Sequence, residues 1–475
     1  MSYMKIHELI IIGAGPGGYR AAFMAADLGM KVTLIDPEVN PGGVCLYRGC
    51  IPTKALLHLA KIKKEAEDAR EMGLNFSTLE MDMEKIRDWK NQVVKKLTDG
   101  LGQLVKARKI NYIRGYASFT GPNTIHLKQN NGETEEISFE QAIIATGVKP
   151  VKLPGIDYHL QGIMTPEQAL ELKESPHRLL IIGGGYIGLE MATIYHSLGS
   201  KVSIAELTSG FMPGMDRDLV AEYRKSGEKI FEEFFLETRV LEIKKSEKLL
   251  RVTFENKQKK KFSKTYDQVL IAVGQKPDTD SLGLEKIPLE PDEKGFIKVD
   301  EQQRTTCQNI FAIGDITGPP LLAHKASYEG MVAAEVLAGK KSGNEAKTIP
   351  SVIYTEPEIA TCGLSEKQAK ENGLDYQVVK FPWSASGRAT AMHEKTGFTK
   401  LIINRKDERL LGAGIVGKNA GDLIPELVLA IEMSATAGDI ALTIHPHPTL
   451  GETIMEAAEL FYGHPAHIFM KNKKE

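Results

Sequence analysis

One pattern occurs twice in this chain, and it limits the possible folds more than any other feature. Residues 8–18 read ELIIIGAGPGG and residues 178–188 read RLLIIGGGYIG, so an apolar strand runs into G-x-G-x-x-G at Gly13, Gly15 and Gly18 and again at Gly183, Gly185 and Gly188. Each motif leads into a helix-like stretch ending at a glycine, Gly29 or Gly199, then a second strand closing on an acid, Asp36 or Glu206, with the same spacing in both copies. The glycines permit a tight turn, close backbone approach to a pyrophosphate and close helix packing. The helix start offers free N–H groups, and the acid accepts from ribose hydroxyls. One such motif also reads as a plain glycine turn. Two complete units at one offset predict two dinucleotide sites.

Both units finish alike, with a β-rich meander, a buried strand and a turn: AIIATGVKP over 142–150 and VLIAVGQKP over 269–277. The expected architecture is therefore α/β, with two nested Rossmann-like dinucleotide-binding domains. The first occupies 1–150 and resumes over 279–348; the second, 151–278, is inserted into it. Residues 349–475 alternate strand-like and helix-like runs without a glycine fingerprint and read as an α+β assembly domain.

The 475-residue length suits about three such domains. Sixty basic against 62 acidic side chains create no global field that would call for nucleic acid, and the mixed-charge helical stretches 55–72 and 83–109 read as solvated faces. Apolar runs such as Leu179–Ile182 are far short of the roughly 20 residues of a membrane span. The N-terminus passes almost directly into a strand without a leader pattern, which predicts a cytoplasmic protein.

Four cysteines are too few for a structural framework, but Cys45 and Cys50 stand together in GGVCLYRGCIPTK. Five positions along a regular helix separate two residues by about 7.5 Å, near or beyond the Cα limit for a disulfide. A bond requires a distorted helix, which Gly49 permits, and such a strained bond exchanges rather than staples. A pair of buried thiols and a zinc half-site are the rival readings; no Cys pair or Cys/His cluster nearby completes a zinc set, and no metal is expected.

The second constellation is His445-Pro446-His447-Pro448-Thr449-Leu450-Gly451-Glu452, followed by a helix-like stretch. Thiol chemistry needs a base near neutrality, and His447 with Glu452 to hold its tautomer meets that need. A satisfied histidine, or a metal site shared with His464 and His467, is the alternative.

Together, GGxCxxxGCxPxK, the two fingerprints, ATGxxP over 145–150, FAIGD over 311–315 and HPHPTxxE resemble the pyridine nucleotide-disulfide oxidoreductase flavoproteins, in that family's order and over essentially the whole chain. The resemblance is strongest to the branch that oxidises dihydrolipoamide.

That resemblance implies FAD in the first site and NAD in the second. Gly13, Gly15 and Gly18 would hold the FAD pyrophosphate, Asp36 its adenosine ribose and Asp315 its ribityl chain. Ala323 would start the helix whose dipole faces the flavin. Asp36 departs from the family's usual Glu and has a shorter reach. Lys54 and its carboxylate partner Glu190 would sit beside the flavin, while Gly115, Thr146, Gly147 and Gly274 are further cofactor-binding expectations. Glu206 would repel a 2′-phosphate, and 207–210 contain no base, which favours NAD over NADP. By the same resemblance Cys45 and Cys50 form the redox disulfide, Cys45 exchanging with substrate and Cys50 facing the flavin. His447 and Glu452 would act across a two-fold axis, which makes an obligate homodimer. Its partners would be lipoyl domains and the E2-type core of 2-oxo acid dehydrogenase complexes, or the lipoyl protein of glycine cleavage.

Rivals fare worse. Glutathione-type reductases need a basic second site, mercuric reductases carry C-terminal cysteines absent after Cys362, and a scaffold flavoprotein would not require Cys45, Cys50, Lys54, His447 and Glu452 together. Departures at Trp383, Ser386, Gly414 and Lys418 predict altered local packing only.

Overall fold

The computed structural model describes residues 6–76, 80–394 and 396–469. The first sheet is built on strand Ile6–Ile12, whose Leu9 to Ile12 are all buried, as expected for a strand covered on both faces. It pairs in parallel with Val32–Asp36 on one side and Thr134–Ile144 on the other, and Ile310–Ala312 adds to the far edge of the latter. Strands 111–121, 124–129 and 134–144 form the antiparallel meander.

The second sheet repeats this order. Strand Arg178–Ile182 lies between Lys201–Ala205 and Gln268–Ile271, with Glu233–Phe235 outside the former, all parallel. A meander over 238–246, 249–256 and 261–266 follows. The far edge strand of this sheet, Ile163–Met164, lies beside Gln268–Ile271 and comes from the start of the second unit. The two matching turns also pair with each other: Val148–Pro150 runs antiparallel to Gln275–Pro277.

Small residues set the packing of the first unit. Helix Pro16–Asp27 has Gly15 as N-cap and Pro at its first position, where a missing N–H costs nothing. It lies against helix Ala323–Leu337 so closely that a Cβ on Gly330 would come within 2.5 Å of the Gly17 carbonyl oxygen. Helix Met83–Ala107 is capped by Asp82, which accepts from the N–H groups of Glu84 and Lys85.

The third sheet is antiparallel, in the order 351–353, 359–363, 410–416, 398–404, 376–382. Helices Ala420–Glu432, Ala437–Leu442 and Glu452–Tyr462 share its core. This unit meets the second through Lys400. Its fully buried ammonium is 2.8 Å from Asp216 and 3.1 Å from Asp218, and it also pairs with Glu366. A cation-like charge thus already fills this acid trio. Removing Lys400 would leave three half-buried carboxylates facing one another without their cation.

Candidate active site

The two glycine loops are alike in atomic detail. Gly13 and Gly183 have φ of +99° and +114°, and a Cβ on either would strike the carbonyl oxygen of Ala145 or Ala272 at 2.4 or 2.2 Å. A Cβ on Gly18 or Gly188 would collide with the first glycine of its own loop, so these third glycines bring helix onto strand. Gly15 and Gly185 face open space and line the cavity.

The acids match as well. Asp36 Oδ2 accepts from Ala14 N at 2.7 Å and Oδ1 from Glu38 N at 3.0 Å. Glu206 Oε2 accepts from Gly184 N and Oε1 from Thr208 N, both at 2.7 Å. Each acid therefore staples its own loop. Burial pushes the Asp36 carboxyl above its ordinary value, against the pull of these N–H groups.

A cavity of about 1810 Å³ runs between the two loops. That exceeds the roughly 300 to 1,000 Å³ of an ordinary ligand pocket and leaves room for more than one nucleotide. Gly115, Thr146, Gly147, Gly274, Asp315 and Ala323 all line it. Thr146 donates to the Asp278 carbonyl at 3.0 Å. The first site fits a flavin dinucleotide on two observations. Asp315 Oδ1 is buried with no partner among the described residues, so it can accept a ligand hydroxyl, and burial lifts its pKa to about 6. Helix Ala323–Leu337 starts at the cavity wall with its positive dipole end. His324 turns away and contacts the Pro350 carbonyl at 2.7 Å.

Between the loops lie the cysteines. Gly49 breaks the chain into helix Gly43–Arg48, carrying Cys45, and helix Cys50–Asp68, so the pair is not held on one regular helix. A Cβ on Gly49 would come within 2.9 Å of the Val44 carbonyl oxygen and 3.3 Å of Cys45 Cα. Both residues line the cavity, Cys45 half-buried and Cys50 exposed. Their opening onto the cavity speaks against two buried structural thiols. A hydrogen bond from Cys45, with help from the Lys54 charge, lowers Cys50 to about 7 against the effect of burial; the same contact and burial push Cys45 far up. The Lys54 charge one turn away favours ionisation of Cys50.

Lys54, one helical turn beyond Cys50, places Nζ 3.0 and 2.9 Å from the two Glu190 oxygens. Glu190 is buried and also accepts from Tyr354 N at 3.1 Å, while the ammonium stands 4.6 Å from the Tyr354 ring. An intact cation–carboxylate pair thus borders the cysteines.

His447 Nδ1 is 2.8 Å from Glu452 Oε1, and Glu452 Oε2 accepts from Thr449 N at 2.7 Å. Burial acts upward on Glu452, but the Thr449 N–H and the imidazole outweigh it and hold the carboxyl below its ordinary value. Neither residue lines the cavity of its own chain, and the His447 side chain is 73% exposed. One copy of the chain does not bring this pair to the cysteines.

Sequence reading missed two features. Arg48, inside the cysteine motif, reaches Glu38 at 2.5 Å and Glu167 of the second unit at 3.4 Å. Tyr354 supports the Lys54–Glu190 pair from a segment without periodicity. For Arg48 a signal was present, a lone cation between two cysteines. Contrary to the expectation from sequence, the departures in the third unit are not all local: Lys418 pairs with Glu65 of the first unit as well as with Glu394, and Gly414 lies against Leu219 of the second, while Ser386 caps a short helix and Trp383 is fully buried.

The chain is similar to proteins already described. The dihydrolipoyl dehydrogenase of Vibrio cholerae is 49% identical over 456 residues, 96% of each chain, and that of Bacillus subtilis 43% over 462 residues, 97% of each. Among solved structures, the HOCl-induced flavoprotein disulfide reductase RclA of Escherichia coli has a TM-score of 0.85 at 29% identity, covering 96% of this chain and all of that one. LpdA of Mycobacterium tuberculosis shares the fold, with a TM-score of 0.89 at 24% identity over the same shares. Residues 7–330 match the model of the pyridine nucleotide-disulphide oxidoreductases and residues 349–458 that of their dimerisation domain. The chain belongs to the pyridine nucleotide-disulphide oxidoreductases.

Proposed function

We propose that this protein oxidises dihydrolipoamide to lipoamide, with FAD in the first site, NAD as acceptor in the second, and the Cys45–Cys50 couple between. The observation that carries the reading is the opening of both cysteines onto a cavity shared by two nucleotide loops, beside the Lys54–Glu190 pair. Gly13, Gly15, Asp36 and Asp315 hold the flavin nucleotide, supported by Gly115, Thr146, Gly147 and Ala323. Gly183, Gly185, Glu206 and Gly274 hold the pyridine nucleotide, while Gly18 and Gly188 set the helices that present both.

Reaction starts from the disulfide form. His447 Nε2, with Nδ1 fixed by Glu452, takes the proton of one substrate thiol, and the resulting thiolate attacks Cys45 Sγ. The Cys45–Cys50 bond breaks and Cys50 leaves as a thiolate, which its lowered pKa and the Lys54 charge favour. The second substrate thiol then displaces Cys45, closing lipoamide and leaving the dithiol. FAD, held by Gly13, Gly15, Asp36 and Asp315, would supply the two-electron acceptor for the Cys45–Cys50 dithiol, with NAD as the final acceptor.

Because His447 lies outside its own chain's cavity, the base comes from a second copy in a homodimer. The segment bearing it is apolar and bare: Leu442 is 85% and Ile444 95% exposed, which a partner subunit would cover. The substrate is then a lipoyl group on a lipoyl domain of a 2-oxo acid dehydrogenase complex, docked through its E2-type core, or on the glycine-cleavage lipoyl protein, in the cytoplasm. No helix among the described residues is long and apolar enough to cross a membrane. The test compares NAD reduction by dihydrolipoamide with NADPH oxidation by glutathione disulfide. The first should dominate, and dominance of the second would overturn the assignment.

A further inference from the structure

Trp383 is fully buried in the third unit, and its room is made by glycine. A Cβ on Gly417 would come within 2.3 Å of the indole ring, and one on Gly397 within 3.1 Å. Its Nε1 donates to Thr399 Oγ1 at 3.1 Å. Thr399 Oγ1 lies 2.8 Å from Thr453 Oγ1, which donates to the Leu450 carbonyl at 2.7 Å. Thr399 and Thr453 are as buried as the tryptophan.

The direction of this chain is fixed. An indole N–H only donates and a carbonyl only accepts, so Trp383 must be its head and Leu450 its tail. Thr453 spends its one proton on Leu450, so Thr399 must give its own to Thr453. No hydroxyl is free to rotate to another partner, and water has no access. Such a network, fully satisfied in a dry core, holds its members in one arrangement. Its tail lands on the turn that carries the base: Leu450 lies between Thr449, whose N–H holds Glu452, and Glu452, which holds His447.

We infer that Trp383 is a positioning residue for the thiol step, acting through Thr399 and Thr453 to fix the turn on which Glu452 aims the His447 imidazole. The inference rests on the reading of His447 as the base. A base displaced by a fraction of an ångström loses much of its effect, so loss of one link should slow proton transfer about tenfold.

The test uses the FAD-loaded dimer. Trp383→Phe removes the N–H and keeps an aromatic ring; Thr399→Val and Thr453→Val remove one hydroxyl each, and Thr399→Ser keeps it. The relay predicts that kcat for dihydrolipoamide oxidation falls about tenfold in Trp383→Phe and in Thr399→Val with KM nearly unchanged. Thr399→Ser should be near wild type, and the double variant Trp383→Phe/Thr399→Val no slower than either single one. NADH oxidation by an artificial acceptor should stay normal throughout. Wild-type kcat in folded Trp383→Phe and Thr399→Val dimers, with only a lowered Tm, would reduce the chain to core packing and overturn the inference. His447→Gln separates this failure from failure of the underlying reading: an intact thiol step in that variant removes the base and the relay together, whereas its loss beside unaffected relay variants removes the relay alone.

Discussion

Lys54 Nζ lies within 3.0 Å of both carboxylate oxygens of Glu190, a residue 136 positions further along the chain and in the other nucleotide-binding unit. The pair brings a cation to the foot of the cysteine helix and neutralises a buried carboxylate that would otherwise work against a thiolate at Cys50, whose pKa the Lys54 charge lowers and the Glu190 charge raises.

In the dithiol protein, one thiolate should therefore appear with a midpoint near pH 7, at Cys50, while Cys45 stays protonated into the alkaline range. Because the native pKa lies below the ordinary 9.0, this thiolate stabilises the dithiol form fully above about pH 9, and the contribution is lost as pH falls through about 7. Lys54→Met should move the midpoint upward. Ultraviolet thiolate absorbance of wild type and variant checks it, and an unmoved midpoint would remove Lys54 from the account.

Cys50→Ser should bind FAD normally yet show no long-wavelength charge-transfer absorption after two-electron reduction, because a serine hydroxyl does not donate into the flavin ring as a thiolate does. Spectra of the anaerobically reduced variant decide this, and survival of the band would sink the assignment of Cys50.

His447→Gln should slow dihydrolipoamide oxidation by about 10² to 10⁴, the usual worth of a positioned base, and leave NADH oxidation by an artificial acceptor near normal. Mixed with inactive Cys45→Ser protein under subunit exchange, it should recover activity to a ceiling of roughly a quarter of wild type, since half the dimers would then hold one good site of two. Proven exchange without recovery would place His447 outside the partner's site.

Glu206→Ala should weaken NAD and narrow its advantage over NADP by about 1 to 3 kcal/mol, by removing both an acceptor for ribose and a charge that repels a 2′-phosphate. Binding of the two coenzymes measured by titration provides the check. A wild-type protein that prefers NADP would end this argument.

The nested architecture was legible because each unit writes its strands, glycines and acid at one spacing, and the same hydrogen bonds then form twice, from Ala14 to Asp36 and from Gly184 to Glu206. The His447–Glu452 contact was also legible, being local. Other features had no local signature. Ile163–Met164 is too short to show a period, and its identity as an edge strand depends on Val269 and Leu270 beside it. Glu190 was legible only through the family resemblance, and Glu167 and Tyr354 come from segments far from the cysteines in sequence, so only the folded chain brings them to Arg48 and Lys54.

The short ladder between Val148–Pro150 and Gln275–Pro277 ties the two nucleotide units together. Its three pairs directly follow Gly147 and Gly274, and both glycines line the cavity. A one-residue insertion or deletion in either turn would shift that ladder by one and reverse the facing of every side chain beyond it, disturbing both sites at once. Length changes can accumulate freely at hairpin tips such as Glu247–Lys248, far along the meander. At these two turns a change of length in either unit is felt in both nucleotide sites.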